Sequence, residues 1–375
     1  MIDKLIFEGP INPLSMGNVS INILKTLYKK GIKVLYSPIG QADINNYKLT
    51  DDFKSWLQSA NNDFLRNFSR DMITVKNWHF NGGHSFPTDH KYLLTYSECD
   101  SATPEEVNII RNIDKVFFCG NYSPKVFSDY GVETDSFNLG FDEDSFYKKD
   151  KQYFNDGRIQ WFLGAKLEKR KKTLEILSLW AKKYGKKPGE SYKDGEQIHF
   201  LNAQISNPFY DIKAQEQQIS QALGGIKYSN IQFFQFLDRE SFNDLLNSTQ
   251  IDLTGLSGGE SWNLIPFNLS CLGKWSIVLN ASGQKTWANK DNSILVNPNG
   301  KVDTADGIFF QKGAPFNQGC FYSWAPEDVS KAMDIAVTKA KTPNTEGEKL
   351  KEQFSYDKSV DYILSKIEEN LNKGK

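Results

Sequence analysis

Residues 257–268, SGGESWNLIPFN, follow the apolar run 251–256 and lead into a helical pattern over 266–272 that stops at Gly273. A strand, a glycine-rich turn and a helix opened by proline leave backbone N–H groups aimed out of the turn, where an anion is held. Glu260 is the one carboxylate in that turn. In a parallel sheet such a turn lies at the carboxyl end of its strand, the edge at which these folds hold phosphorylated ligands. The same letters also describe an ordinary strand-to-helix turn, so the surrounding chain has to decide.

Working upstream, residues 159–163 read as a strand, and 166–184 as a basic loop and helix with Leu174, Leu177 and Ala181 at helical spacing, closed by Gly185. QIHFLNAQI and IQFFQF add two strands, and DRESFNDLLNS adds a short helix with Ser241 as its expected cap. Downstream, WSIVLN and SILVNP are strands, and Val360, Ile363, Leu364, Ile367 and Leu371 form one face of an amphipathic helix. Strands alternating with helices call for a parallel, doubly wound sheet.

The first half has the same rhythm. Residues 5–7 are a strand, PLSMGNVS leads into a helix with Ile23, Leu24, Leu27 and Tyr28 on one side, and 33–36 form the next strand. The loop places Gly17 where backbone can approach a phosphate or sugar closely. A dinucleotide fingerprint needs G-x-G-x-x-G there, and a single glycine weakens a hydride-transfer reading. Helix is expected at 53–64 and strand at 72–78, followed by NWHFNGGHSFP, which gathers His79 and His84 around a Gly-Gly turn. A zinc site there would need further ligands at suitable spacing, and none is close. Residues 92–96 are a strand, Pro104 opens a helix with Glu105 and Glu106 near its positive end, and KVFFCGNYSPKVFSDYGV is strand, turn and helix. The charged stretch KKDKQYFNDGR reads as a linker. It divides the chain into residues 1–150, 151–340 and a helical segment, 341–375, packing back on the body.

A chain of 375 residues suits two domains, and 39% hydrophobic residues with 13% aromatics suffice for two cores. A formal charge of −1 gives no global basic field for nucleic acid or an acidic membrane. Cys99, Cys119, Cys271 and Cys320 lack a C-x-x-C pair and read as reduced thiols of a cytoplasmic protein. Neither a signal peptide nor a membrane span is expected.

With these segments in order, the sequence resembles the GT-B glycosyltransferases, and its C-terminal half the retaining, family-four-like branch. That branch has a Gly-Lys/Arg loop, a downstream Arg-Lys, and a Glu followed eight positions later by a second Glu; here GAKLEKRKK (164–172) and SGGESWNLIPFN stand in those places. SMGNVS, TYSECDSATPEEV and NLGFDEDSFY resemble the family's glycine loop, acceptor-domain strand end and pre-linker turn. The likeness covers most of residues 1–335, by pattern and not by close identity. It implies an α/β fold of two doubly wound Rossmann-like domains facing a central cleft, the first acceptor-side and the second binding a nucleotide sugar. It also implies a metal-independent hexosyl- or pentosyltransferase that moves a sugar from a UDP- or GDP-type donor to a hydroxyl acceptor, with no obligatory cofactor. DGIFFQKGAPFNQGCFYSW (306–324) is similar to strings in glycosyltransferases of tailed phages, which adds modified DNA bases to glycans and small molecules as acceptors.

By this resemblance Lys166 and Lys171 bind the donor phosphates, joined by Arg170, and Glu260 lies near the sugar hydroxyls. Backbone N–H groups of Asn263 and Leu264 meet the diphosphate, Gly17 approaches the donor from the other domain, and His79, where the family often places a histidine after a first-domain strand, joins Glu260, Lys171 and Lys166 as a catalytic candidate. Glu98 and Asp100 are the acceptor-side candidates, and base contacts are expected around residues 236–238. No protein nucleophile is assigned. Asn268 replaces the second Glu, which binds the nucleotide's ribose hydroxyls in the family; an amide both donates and accepts there. Independently of the family, cations beside a leaving diphosphate lower the barrier selectively. Cations in a helix's first turn oppose its dipole and ask for a compensating anion. The acidic pair Asp142 and Asp144 is read as capping a following helix rather than holding a metal. The competing readings are a non-catalytic nucleotide-sugar binder, motivated by Asn268, and a nucleotide-sugar epimerase of the same architecture.

Overall fold

The computed structural model describes residues 2–373; Met1, Gly374 and Lys375, the outer ends of the first and last expected segments, lie outside the described residues. Contacts divide the chain into two units: residues 2–144, 307–319 and 351–373 form one, and 145–306 with 320–350 form the other. The segment 307–319, expected to belong wholly with the second half, is thus part of the first unit.

In the first unit β1 (Lys4–Gly9), α1 (Ser15–Lys29), β2 (Lys33–Pro38), α2 (Asp51–Asn67) and β3 (Ile73–Asn77) are followed by β4 (His90–Thr95), α3 (Pro104–Arg111), β5 (Lys115–Cys119), α4 (Tyr122–Ser128) and β6 (Asp135–Phe137). The six strands pair in parallel in the order β2-β1-β3-β4-β5-β6. Helix α3 starts with a capping box: Glu106 N–H donates to Thr103 Oγ1 and Thr103 N–H to Glu106 Oε2. The segment 307–319 docks on this helix start. Asn317 N–H donates to Glu106 Oε1 (2.9 Å), Thr103 Oγ1 to the Pro315 carbonyl (2.6 Å), and Phe316 packs against the cluster of Phe80, Leu93 and Val107.

The second unit holds β7 (Ile159–Ala165), α5 (Thr173–Tyr184), β8 (His199–Ile205), α6 (Ile212–Ala222), β9 (Ile231–Phe233), α7 (Arg239–Ser248), β10 (Ile251–Asp252), α8 (Leu264–Cys271), β11 (Trp275–Leu279) and β12 (Ile294–Val296). Its parallel sheet runs β12-β11-β10-β7-β8-β9. A hairpin, β13 (Gly300–Asp303) with β14 (Cys320–Ser323), precedes α9 (Pro326–Lys339) and the single turns α10 (Thr345–Glu348) and α11 (Leu350–Gln353). The final helix, α12 (Tyr356–Lys373), returns to the first unit, burying Val360, Ile363 and Ile367 toward α1.

Two local expectations are corrected. Helix α7 is capped by Asp238, whose carboxylate accepts from the N–H of Ser241, so Ser241 is the third residue of the first turn and not the cap. No helix follows Asp142 and Asp144 before β7; Asp144 pairs with Lys25 (2.8 Å) and Asp142 is buried.

The second core centres on Trp161 and Trp180, both fully buried. Against Trp161, His199 accepts a hydrogen bond at Nδ1 from the indole N–H (3.1 Å) and stacks on Tyr184 at 4.1 Å. Burial pushes the imidazole down to about 4, with Glu196 opposing, so it is neutral in the fold. Because its folded value lies below its unfolded value, this unit is fully stabilised above pH 6.5 and loses stability as pH falls toward 4. Urea unfolding followed by tryptophan fluorescence should show a loss of about 3 kcal/mol across that window, flattened in His199→Gln; a wild-type profile as flat as the variant's contradicts this.

Candidate functional site

In the second sheet the strand order reverses between β7 and β10, which run parallel with Trp161 opposite Ile251 and Phe162 opposite Asp252. A crevice beyond the carboxyl ends of strands at such a switch point is where open α/β sheets bind ligands. The two loops leaving these strands are residues 166–172 and 253–263, and they are bonded to each other. Gly164 N–H donates to Thr254 Oγ1 (3.1 Å), Gly258 N–H to the Arg170 carbonyl (2.8 Å), and Ser257 Oγ to that carbonyl (3.2 Å).

Around this joint sit the charges. Glu260, 5% exposed, accepts from Arg170 Nη1 (2.9 Å) and from Lys171 Nζ at the same oxygen, and Arg170 Nη1 also donates to the Gly259 carbonyl (3.0 Å). Arg170 Nε lies 3.0 Å from Glu168, and Lys166 Nζ 3.8 Å from Glu168. Burial raises the Glu260 carboxyl, but Lys171 and Arg170, with hydrogen bonds from Lys171 and Ser257, outweigh it and hold the group below the usual carboxylate range. The compensating anion that the basic helix start calls for is therefore supplied first by the chain itself. Even so, residues 166–172 carry five cations against Glu168, and Glu260 adds only one more carboxylate.

The glycine-rich turn is enclosed. A Cβ on Gly258 would lie 2.2 Å from the Tyr322 carbonyl, and one on Gly283 would lie 2.0 Å from that of Ser261, so only glycine fits either place. Asn263 takes φ +67°, and its amide donates to Thr254 O (3.2 Å) and Gln284 Oε1 (2.9 Å). Gln284, fully buried, donates in turn to the carbonyls of Gly255 and Leu279 (3.0 Å each). Asn263 is thereby spent on holding the turn rather than capping α8, which has no side-chain cap; the first N–H groups of that helix have no intrahelical partner. One turn in, Asn268 is buried with its Oδ1 unpartnered among the described residues. Such an atom costs about 1–3 kcal/mol unless a ligand or water satisfies it.

Lys166, Arg170, Lys171, Glu260, Asn263, Leu264 and Asn268 thus all belong to the carboxyl edge of the second sheet. Leu264 opens α8, two residues earlier than the pattern suggested, which moves Pro266 into its third position. The sequence did not show that Lys172 turns inward at φ +50° to donate to Ser323 Oγ (3.0 Å), nor that Lys169 Nζ reaches the carbonyls of Asp303 and Ala305 (2.7 Å each). Phe236 is exposed and Asp238 caps α7.

The remaining site candidates lie in the first unit, whose strand order reverses between β1 and β3. Gly17 is in the first turn of α1 and not the loop before it; a Cβ there would lie 2.1 Å from the Asn12 carbonyl. Its missing side chain serves packing within this unit. His79 follows β3, exposed, with its ring 5.9 Å from Trp78 and 6.3 Å from Tyr96. Glu98 and Asp100 follow β4, and Asp100 packs beside Gly319, whose added Cβ would lie 2.7 Å from Asp100 Oδ1. Unforeseen in the same unit is the pair Lys76–Glu8 (3.4 Å) at the ends of β3 and β1, with Lys76 Nζ donating to the Ser85 carbonyl (2.5 Å). Burial raises the Glu8 carboxyl against the opposing pull of Lys76.

Two six-stranded parallel sheets, each with a switch point, match solved structures over their whole length. The fold is GT-B. The sucrose-phosphate synthase of Thermosynechococcus elongatus is similar with a TM-score of 0.65 and 11% identity, covering 100% of both chains. A glycosyltransferase from Rickettsia africae ESF-5 gives 0.65 and 12%, covering 98% of both. Anabaena HepE in complex with UDP-glucose gives 0.60 and 13%, covering 99% of both. No protein-family model matches the sequence, and no curated protein does. Among the described residues of this GT-B chain, no helix is long and apolar enough to cross a membrane.

Because the Glu260 carboxyl is held low, its contribution to stability is present above its ordinary value of 4.5 and is lost as pH falls through the lower folded value. Glu260→Gln removes the carboxylate that Arg170 and Lys171 share, leaving Arg170 with Glu168 and Lys171 with no ion pair among the described residues. At pH 7 amide exchange over residues 257–271 should speed up by the equivalent of about 3–5 kcal/mol, and the gap to wild type should narrow as pH falls below 4.5 and through the lower folded value. Equal protection of both proteins at pH 7 would show that the ion pairs do not hold the turn.

Proposed function

We propose that this chain is a glycosyltransferase that moves a sugar from a UDP- or GDP-type nucleotide sugar to a hydroxyl acceptor with retention of anomeric configuration. The observation that carries the reading is the concentration of cationic side chains at the switch point beside an uncapped helix. Residues 166–172 carry five cations and are bonded to the loop that leads into α8, and Asn268 has an oxygen without a partner among the described residues one turn into that helix. An anion with a polar body answers all three features. The likeness to HepE bound to UDP-glucose supports a nucleotide sugar as that anion.

In this reading the pyrophosphate lies against Lys166, Arg170 and Lys171 and the N–H groups of Asn263 and Leu264. Charge that develops on the leaving phosphate as the glycosidic bond breaks is met by dipoles and cations already in place, which lowers the barrier without later reorganisation. Glu260 keeps Arg170 and Lys171 in register and faces the sugar hydroxyls, and Asn268 meets the ribose. The leaving phosphate takes the acceptor's proton on the same face, so no protein nucleophile is needed. In the first unit Gly17 is assigned to donor binding and His79 to catalysis, and acceptor contacts fall to Glu98 and Asp100, with a glycan, a small molecule or a modified DNA base as acceptor. The chemistry calls for no metal. A cytoplasmic location belongs to this reading, in keeping with a sequence whose four cysteines include no C-x-x-C pair.

Asn268 favours one other reading, a nucleotide-sugar binder without turnover. Release of nucleotide from a panel of UDP- and GDP-sugars, with and without chelator, separates the two. Turnover should persist in chelator, fall roughly 10²-fold or more in Lys171→Ala and Glu260→Ala, and give product of retained configuration by NMR. Turnover untouched by both substitutions removes the site assignment, inverted product removes retention, and saturable binding without turnover leaves the binder.

A further inference from the structure

The second unit contains a cavity of about 290 Å³ that the proposed function does not use, lined by Lys148, Lys149, Lys151, Lys274 and Lys341 with Glu348 as the lining carboxylate. It lies at the opposite edge of the sheet from the candidate donor site. Lys149 and Lys151 lead toward β7, Gln250 immediately precedes β10, and Lys274 immediately precedes β11, so these residues mark the amino ends of strands whose carboxyl ends carry residues 166–172 and 257–263. At 3.3 Å per residue the seven-residue β7 separates the two edges by roughly 20 Å.

The charges in this cavity do not balance. Lys148 pairs with Glu348, Lys149 with Glu240 (2.5 Å) and Asp244 (3.1 Å), and Lys151 with that same Asp244 (2.9 Å). Lys274 and Lys341 form no ion pair among the described residues; Lys274 Nζ donates to the Asn247 carbonyl (2.6 Å), and Lys341 is exposed. Burial lowers the Lys274 ammonium to about 8, and the neighbouring Lys148 pushes the same way. A cation held against both desolvation and a like charge gains most from an anion placed beside it. Gln250 spends its amide oxygen on the Gln160 N–H (2.7 Å), leaving its NH₂ as a neutral donor in the lining.

Two uncompensated ammonium groups match a phosphate dianion, for which lysine is a common point-charge partner. The volume exceeds what a bare phosphate needs and stands at the lower end of small-molecule sites, typically ~300–1,000 Å³. A volume of about 290 Å³ and the formal charge of −1 for the whole chain argue against a polynucleotide. We propose that this pocket binds a small phosphomonoester with a sugar-sized body, held by Lys274 and Lys341, at a site separate from that of the donor.

Calorimetric titration of the full chain with inorganic phosphate, a hexose phosphate and a nucleoside monophosphate tests this and distinguishes the sources. At least one ester should bind saturably and more tightly than inorganic phosphate. Its affinity should fall roughly tenfold or more in Lys341→Ala and in Lys274→Met, and should survive Lys171→Ala, which disables the proposed donor site. Lys341 is exposed, so its variant reads out binding even if Lys274→Met fails to fold. No saturable binding, binding indifferent to Lys341→Ala, binding lost in Lys171→Ala, inorganic phosphate as tight as every ester, or a DNA duplex that outcompetes the esters would each overturn the proposal.

Discussion

The joint between the loops after β7 and β10 is the constraint on which the rest of the candidate site depends. One backbone hydrogen bond, Gly258 N–H to the Arg170 carbonyl, fixes the two loops at a single height, and Glu260 then draws Arg170 and Lys171 to one oxygen. Removing two cations and a carboxylate from water is costly, and mutual attraction offsets that only when geometry and additional hydrogen bonds are good. The geometry here rests on neutral neighbours. Gly258 and Gly283 allow carbonyls to approach where any side chain would collide, and Gln284 with Asn263 ties the turn to β11 and to the residues after β10.

This arrangement also gives the ion pairs two physical roles. As a structural feature they join two loops that are about 90 residues apart in sequence. As a preorganised electrostatic feature they hold cations at a switch point before any ligand arrives, which is the condition under which charge stabilisation acts without reorganisation. Both follow from the same contacts. The surplus of positive charge over Glu168 and Glu260 and the unpartnered Oδ1 of Asn268 favour the second role in addition to the first.

Much of the fold was legible because its signals are local. Alternating apolar runs and helical spacings marked the strands and helices, and Pro104 with Glu106 marked the start of α3. The site was legible where charge and glycine lie close in sequence, as in residues 164–172 and 257–260. What stayed hidden depends on partners far apart along the chain. Gln284 carries no motif, yet it clasps the turn; Lys169 and Lys172 look like their neighbours in EKRKK but bond to residues more than 130 positions away. The first-unit attachment of residues 307–319 rests on single hydrogen bonds to Thr103 and Glu106 and on Phe316, which no periodicity announces. Gly17 was misplaced by a turn because helix α1 begins without a side-chain cap to mark it.

The central claim is that the carboxyl edge of the second sheet receives a pyrophosphate. Backbone amide shifts of isotopically labelled protein titrated with UDP-glucose and GDP-mannose test it most directly. The account predicts saturable shifts with one of these donors at Asn263 and Leu264 and across residues 169–172, abolished in Lys171→Ala. Amides at those positions that remain unmoved while either donor saturates elsewhere on the chain would contradict it.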